Sequence, residues 1–306
     1  VYAVPRLPEQ ELAWKNLTVD GKKTAVYCMY RDSGGIMWTG TNSGLYFYDG
    51  VTVHPVAQDV WAGTQIYSIV EHDGRLYLGA NHGLLVYDYQ TGLVTPYEAA
   101  LPKEIRSMLL IDGNLWIGSL YGIFRLGIAD GSVDDYSSGL PHKSVYSLLR
   151  DRRGILYAGT YNGLARWDAA RESFEKVPYD AGSKDDKTLF VNSLLELPES
   201  GGILIGSHGS LYEYTPRNET WRKVSALDDN NIKSLAAGDD GHILIGTENG
   251  VFDYDGDSVR HYRHDSRNEL SLPDNEIWCI YSDREHNIWA CLLYTSDAAD
   301  DSLRVD

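Results

Sequence analysis

Short apolar runs alternate with turns containing Gly and Asp along the whole chain, and one pattern recurs. Each copy has an apolar strand with an internal Ser or Cys, an Asp/Gly turn, a second apolar strand ending in Gly, and a third that begins with Gly and is mostly apolar. Six copies are complete and a seventh is partial; they occupy residues 26–49, 66–88, 105–126, 145–168, 191–214, 232–255 and 277–291. The Gly that ends the second strand recurs at 40, 79, 118, 159, 206 and 246, and such a period of about 40 residues is typical of repeat architectures.

Each copy has the pattern of strands that are covered on both faces. In residues 145–149 both alternating sets of side chains are largely apolar, as in sheets buried on two sides. Asp-x-x-Gly turns such as 151–154 predict hairpins. A later turn, such as 91–92, leads to a fourth strand, expected at 93–97 in the second copy and 174–177 in the fourth. No segment sustains a 3.6-residue period, so we expect almost no helix.

Four antiparallel strands per repeat are typical of a propeller blade. The sequence therefore predicts an all-β fold, a seven-bladed β-propeller of four-stranded antiparallel blades. A β-solenoid is the alternative, but it would leave two sheet ends uncovered. Residues 13–18 resemble an orphan outer strand, which would complete the last blade and close the ring. We expect a propeller over 1–290, with blade repeats near 26–62, 66–100, 105–138, 145–180, 191–226, 232–264 and 277–290 plus 13–18.

The last residues, 291–306, depart from the repeat. Where a blade should continue with Gly-Thr-x-x-Gly, the chain has Cys-Leu-Leu-Tyr-Thr-Ser-Asp. One interpretation is a divergent blade in which residues 302–305 replace the third strand. The other, which we favour, is a non-native tail after Ala290, which would leave the last blade incomplete at the C-terminus.

Charge and composition exclude several kinds of partner. The chain has 44 acidic and 27 basic residues, a formal charge of −17, so it should repel phosphate backbones and anionic lipid. No run of apolar residues is long enough for a membrane span. Its three cysteines, at 28, 279 and 291, lack zinc-site spacing. We therefore expect no nucleic acid, no direct membrane insertion, no metal and no cofactor, and we expect free thiols. The chain starts at Val1 without a signal peptide.

The repeats resemble the two-component regulator propeller repeat. Residues 32–45, DSGGIMWTGTNSGL, follow that pattern closely, as does the joining segment 262–275, YRHDSRNELSLPDN. The resemblance extends over 13–290. It implies the periplasmic sensor of a hybrid histidine kinase, commonly two propellers followed by a β-sandwich, a membrane helix and the kinase. Such sensors often respond to glycan breakdown products. The partners expected from it are a small-molecule or oligosaccharide ligand and the downstream sensor domains; a homodimer is a further expectation.

Candidate binding residues lie in the loops of one face. In an antiparallel blade, the loops between strands B and C emerge beside those that lead from strand D to the next strand A. Aromatic, amide, imidazole and ammonium groups gathered there suit a sugar, which needs ring faces to stack on and partners for its hydroxyls. The candidate ligand-binding residues are Asn42, Trp61, Asn81, His82, Tyr121, His142, Lys143, Tyr161, Asn162, His208, Glu248, Asn249 and Asn275. The alternative for each Asn is that it only supplies a turn conformation.

Other repeated positions are interpreted as structural. One position holds Ser68, Ser107, Ser147, Ser193 and Ser234, with Cys28 and Cys279 in the same place. A ring of equivalents cannot be one nucleophile with one base, so we expect small side chains that pack between blades. The Trp and Tyr of the second strand, at 38, 77, 116, 157 and 289, should be core.

Three functions stay open. The resemblance favours a ligand-sensing propeller fragment of a hybrid two-component regulator that detects glycan breakdown products. A propeller glycoside hydrolase or polysaccharide lyase would need converging acid/base residues, and acids on the loop face are few. The third is a protein-interaction platform, for which a large apolar patch would speak. Because no catalytic constellation is recognisable, we expect that the chain is not an enzyme.

Overall fold

The computed structural model describes residues 2–5, 15–16, 24–56, 62–179, 189–238, 241–283, 285 and 287–292. These form four-stranded antiparallel sheets, with a single 3-10 turn (Ser225–Leu227) as the helical element of the described part. The prediction of an all-β propeller of four-stranded antiparallel blades with almost no helix is confirmed.

The structure has six blades, not the predicted seven, in which four strands follow one another along the chain. The strands of each blade are named A to D from the centre outwards. The A strands of blades 1 to 6 are Val26–Arg31, Ile66–His72, Ile105–Ile111, Val145–Arg150, Val191–Glu196 and Ile232–Ala237. The B strands are Met37–Thr41, Arg75–Ala80, Asn114–Ser119, Leu156–Thr160, Ile203–Ser207 and Ile243–Thr247. The C strands are Gly44–Tyr48, Gly83–Asp88, Gly122–Gly127, Gly163–Asp168, Leu211–Thr215 and Gly250–Tyr254. The D strands are Val53–Pro55, Leu93–Pro96, Val133–Asp135, Ser173–Lys176, Thr220–Val224 and Val259–Tyr262.

A further four-stranded sheet joins the two ends of the chain. We call it the composite sheet; its strands, from the centre outwards, are Ile277–Ser282, Asn287–Leu292, Tyr2–Pro5 and Lys15–Asn16. Its inner strand contacts the A strands of both blade 6 and blade 1, which closes the ring. The outer strand expected from 13–18 is present at Lys15–Asn16, but the strand Tyr2–Pro5, which lies between it and Asn287–Leu292, was not predicted. Only the backbone pairing of Tyr2–Pro5 and Lys15–Asn16 is described, and the rest of 13–18, like 293–306, lies outside the described residues.

Neighbouring blades approach each other closely at the repeated Gly of strand B. A Cβ atom on Gly206 would lie 2.4 Å from Ser193 Oγ and 2.6 Å from Ile232 Cγ2, the first strand-A residue of the next blade. The first strand-A residue is Val or Ile in all six blades and in the composite sheet, and each is almost fully buried. The same approach, under 3.0 Å, occurs at Gly40, Gly79, Gly118, Gly159 and Gly246. The Gly repeat is therefore required because there is no room for a side chain.

At two of the repeated Ser positions, hydrogen bonds join neighbouring sheets, whereas Ser147 Oγ and Ser193 Oγ are buried without a hydrogen-bond partner among the described residues. Ser107 Oγ accepts a bond from the Leu148 backbone N–H at 3.1 Å, and Ser234 Oγ accepts one from Ile280 at 3.1 Å. The expected role between blades is thus confirmed for these serines. Cys28, Cys279 and Cys291 are free thiols, as expected.

The Asp-x-x-Gly turns hold the second-strand aromatics in place. Asp32 Oδ1 accepts a bond from the Ile36 N–H, and Asp32 Oδ2 accepts one from Trp38 Nε1 at 2.7 Å. Asp283 and Trp289 repeat the second contact at 2.8 Å. The second-strand Trp and Tyr residues are all buried, as predicted. These turns therefore stabilise the scaffold.

We predict that Gly206→Ala destabilises the fold by about 1–3 kcal/mol, because the added methyl group must displace Ser193 Oγ and Ile232. Chemical denaturation of the purified variant measures this change. Gly74→Asn is the matched control: Gly74 has a φ of +70° with no atom near its missing Cβ, a conformation that Asn tolerates. An undiminished unfolding free energy in Gly206→Ala would contradict the close approach between blades.

Candidate functional site

A β-bulge occurs at the same place in every blade and in the composite sheet. The register between strands A and B shifts after the first residue of strand A in all seven sheets. A bulge leaves one residue unpaired and re-aims its side chain. The seven bulged residues are Tyr27, Tyr67, Arg106, Tyr146, Asn192, Lys233 and Trp278. All seven line one central cavity of about 440 Å³.

Among the first four residues of strand A, the bulged position is the one whose chemical type changes from copy to copy; the sixth residue of the strand also varies, but it does not line the cavity. Its neighbours are conserved in type within the chain, with Val or Ile before it and Ser or Cys after it. The bulged position itself holds four aromatic residues, two cations and an amide. A ring of unlike side chains around a cavity of this size is typical of a ligand site. We call these seven side chains the bulge ring.

Three aromatic residues of the bulge ring form a continuous arc. The ring centroids of Tyr27 and Tyr67 are 5.1 Å apart, and those of Tyr27 and Trp278 are 5.7 Å apart. Both separations are in the range of favourable aromatic pairs. Tyr27 and Tyr67 are partly buried, and desolvation raises the pKa of both hydroxyls. The arc therefore presents ring faces and neutral hydroxyl groups to the cavity.

A cation lies at each end of this arc. The guanidinium carbon of Arg106 lies 3.8 Å from the centroid of the Tyr67 ring, and Lys233 Nζ lies 5.1 Å from that of Trp278. Arg106 also donates from Nη2 to Glu104 Oε2 at 2.8 Å. Both cations are within cation–π distance of the arc.

The opposite side of the cavity opens onto the loop face through a second set of aromatic residues. Phe190 lies 4.6 Å from the bulged Tyr146 and stacks on His208 at 4.4 Å, measured between ring centroids. Tyr161 lies 5.1 Å from Phe190, and His142 lies 5.2 Å from Tyr161. Tyr161 is 46% exposed. Together these rings form a track from the cavity to the surface, which we call the aromatic track.

The loops share one face as expected. The Asn81 amide of a B–C loop donates to the Gly63 carbonyl at 2.9 Å and accepts from the Gln65 N–H at 2.9 Å, both in the preceding D–A connection. The described candidate residues are nevertheless not gathered into one site. His208 lines the central cavity, and Tyr161 and His142 reach it through Phe190. Trp61 lies outside the described residues.

Several of the predicted binding residues have structural contacts. Asn275 Oδ1 accepts from the His264 N–H, and Asn249 Nδ2 donates to Asn230. The Asn162 N–H donates to Thr160 Oγ1 in its own turn. The others lie on their loops apart from the cavity: Asn42, His82, Tyr121, Lys143 and Glu248. Their role in binding stays a prediction.

Sequence reasoning missed the bulge ring. The signal was present, because the strand-A residue between Val or Ile and Ser or Cys varies in chemical type among the copies, while both its neighbours do not. It was overlooked because strict two-residue alternation assigns it to a sheet face rather than to the propeller axis, and the bulge cannot be read from that alternation.

Among the described residues, no group of three or more His, Cys, Asp or Glu side chains could hold a metal ion. No helix in the described part of the chain is long and apolar enough to cross a membrane.

The blades, their closed ring and a ligand-sized central cavity define a β-propeller with an axial pocket. Residues 139–162 and 271–292 match the family model described as two component regulator propeller. The resemblance inferred from the repeats is confirmed, and the chain carries two component regulator propeller repeats.

Solved structures extend this comparison. Two crystal structures are of the extracellular domain of BT4673 from B. thetaiotaomicron, assigned in one as a one component and in the other as a hybrid two component system. Their sequence identities are 36% and 35% and their TM-scores 0.86 and 0.87. The matches cover 92% and 93% of this chain and 39% of each BT4673 chain. This chain thus spans about two fifths of the length of those relatives.

More distant structures share the fold alone. The extracellular domain of BT3049 from B. thetaiotaomicron, assigned as a hybrid two component system, has 20% identity and a TM-score of 0.78, over 92% of this chain and 41% of that chain. Virginiamycin B lyase from Staphylococcus aureus has 10% identity and a TM-score of 0.71, over 92% of this chain and 99% of that chain. No curated protein sequence matches the chain.

The pKa of His208 reports on the charge inside the cavity. Desolvation, followed by the nearby Lys233 ammonium, lowers this pKa below its ordinary value of 6.5. The fold thus favours neutral His208, and this group's contribution to stability weakens as the pH falls below 6.5.

We predict that Lys233→Met raises the pKa of His208, as measured by NMR titration with a His208→Gln variant for assignment. Lys143→Met, which removes an equal charge from the loop face, should leave it unchanged. An unaltered value in Lys233→Met would contradict the placement of the ammonium group.

Proposed function

We propose that this chain is an extracellular, periplasmic sensor propeller of a hybrid two component system and that it binds an oligosaccharide in its central cavity. The observation that carries the proposal is the bulge ring, which concentrates the non-repeating residues of strand A around one cavity. Because two structures with 36% and 35% identity are named as extracellular domains of signalling systems, a sensor role suits this chain better than catalysis.

The chemistry of the cavity supports a sugar as ligand. Sugars offer apolar ring faces for stacking and hydroxyl groups for hydrogen bonds. The arc of Tyr27, Tyr67 and Trp278 supplies stacking surfaces. The Tyr hydroxyls and Asn192 Oδ1 supply hydrogen-bonding groups, whereas Asn192 Nδ2 already donates to the Ile232 carbonyl. The aromatic track leads from the cavity to the surface, which favours a ligand of several sugar units over a single one.

The parent protein would carry the signal onwards. Since the chain covers 39% of the BT4673 structure, we propose that further sensor domains of the parent dock on this propeller and respond to ligand binding. We also propose that the composite sheet acts as the seventh blade. Its inner strand contributes Trp278 to the cavity, so closure of the ring would complete the site.

An enzyme is the weaker candidate. A hydrolase or lyase needs an acid/base pair that meets at the substrate, and the described lining of the cavity contains no carboxylate. The likeness to virginiamycin B lyase rests on 10% identity, which speaks for the fold alone.

We predict that Tyr67→Ala lowers the affinity for a binding oligosaccharide by at least about tenfold, because it removes a buried stacking surface. Titration calorimetry with a panel of neutral and acidic oligosaccharides identifies the ligand and measures the change. Tyr121→Ala is the matched control, since Tyr121 is 58% exposed on the loop face and outside the cavity lining. Equal losses in both variants would move the site to the loops, and silence across the panel would refute sugar sensing.

A further inference from the structure

The charge of the bulge ring is opposite to that of the chain as a whole. Acidic residues outnumber basic ones by 44 to 27, yet the seven bulged positions contain two bases, Arg106 and Lys233, and no acid. The cavity is thus a locally cationic place in an anionic protein. Clefts with one sign of charge and low-dielectric walls concentrate ligands of the opposite sign.

Lys233 has no carboxylate partner within the described part of the chain; its contact there is with the face of Trp278. Most other cations of the blades are paired, for example Arg166 with Glu175 at 2.6 Å and Arg222 with Glu213 at 2.6 Å. A partly buried ammonium without a counter-ion is costly unless a ligand neutralises it. Lys233 and His208 line the same cavity.

Arg106 also has hydrogen-bonding capacity left over. Its Nη2 binds Glu104, but its Nε is buried without a hydrogen-bond partner among the described residues. A buried donor without an acceptor is unfavourable. The Arg106 side chain lines the cavity, and a small shift of its guanidinium on ligand binding would bring this donor to a ligand oxygen.

The acids near the cavity do not cancel this charge. Glu104 lies against Arg106 and neutralises part of it. Glu248 accepts a 3.4 Å hydrogen bond from Asn231 and raises the pKa of His208 less than burial and Lys233 lower it. Neither residue lines the cavity.

We propose that the ligand of this cavity is an acidic oligosaccharide, with a sugar ring on the Tyr27–Tyr67–Trp278 arc and a carboxylate or sulfate held by Lys233, while Arg106 at the other end of the arc binds a second charged group. This inference rests on the proposed function and specifies its ligand class. The two cations at opposite ends of one stacking surface allow charges on separate sugar units to be bound together. Sulfate and carboxylate share the chemistry of a charged oxygen acceptor that such cations recognise.

Matched probes test the charge directly. Short oligomers of galacturonate, glucuronate and sulfated galactose are compared by calorimetry with neutral oligomers of galactose and glucose that have the same linkages. We expect at least one acidic probe to bind more tightly than its neutral counterpart, with an affinity that falls as salt is added. Which acidic probe binds distinguishes a carboxylate ligand from a sulfated one.

Substitutions then separate this inference from the proposed function. Lys233→Met should lower the affinity for the acidic probe by about ten- to hundredfold, the range for a charge-assisted hydrogen bond. The affinity for a neutral sugar should change little. Lys176→Met removes the same charge from an exposed position on the outer strand of blade 4, outside the cavity lining, and should have little effect. Glu104→Gln removes the carboxylate that pairs with Arg106 and should raise the affinity for the acidic probe by about two- to fivefold.

The outcomes are distinct. Neutral sugars that bind as tightly as their acidic counterparts would overturn the acidic-ligand inference and leave the sugar-sensing proposal standing. No binding by any probe to a protein with unaltered circular dichroism would overturn both. A loss of affinity in Lys176→Met equal to that in Lys233→Met would show long-range attraction only and would also overturn the inference.

Discussion

The contact between the strand-B Gly of one blade and the first strand-A residue of the next determines the geometry of this propeller. At Gly79 the space for a Cβ is filled by Ile105 of the following blade, 2.6 Å away. The same close contact of Gly with Val or Ile recurs between each pair of neighbouring sheets from blade 1 to the composite sheet. Because this contact brings the inner strands together, it sets the width of the central cavity.

The bulge is the counterpart of that contact. The first residue of strand A is buried against the Gly, and the Ser after it hydrogen-bonds to the next blade in several cases. The residue between them is unpaired in every sheet and lines the cavity. Constraint on both sides of the bulge leaves the bulged side chain free to vary, so scaffold and site residues lie next to each other in strand A. The composite sheet departs from the scaffold rule, since Cys291, opposite Cys279, stands where the six blades have Gly.

Much of the fold could be predicted from the sequence, because Gly, Asp and apolar positions recur for local steric reasons. The second-strand Trp and Tyr positions and the Ser between blades followed from that period. The strand Tyr2–Pro5 could not be predicted, since it lies outside the repeat and its pairing with Asn287–Leu292 spans the whole chain. For the site, the shared loop face was predictable from strand order, and His208 was among the candidates. The bulge ring was not found, because a bulge breaks the two-residue alternation on which strand reading depends. The amides of Asn81 and Asn275 bind neighbouring backbone, which is the turn role that the sequence left open as the alternative for each Asn.

The central claim is that ligand recognition belongs to the bulged residues and not to the loop tips. A crystal structure of this chain with the tightest-binding oligosaccharide tests it most directly. We expect a sugar ring against Tyr27, Tyr67 or Trp278 inside the cavity, with an anionic group near Lys233 or Arg106. A ligand that touches only loop residues such as Asn42, Tyr121 or Lys143, with the cavity filled by solvent, would contradict it.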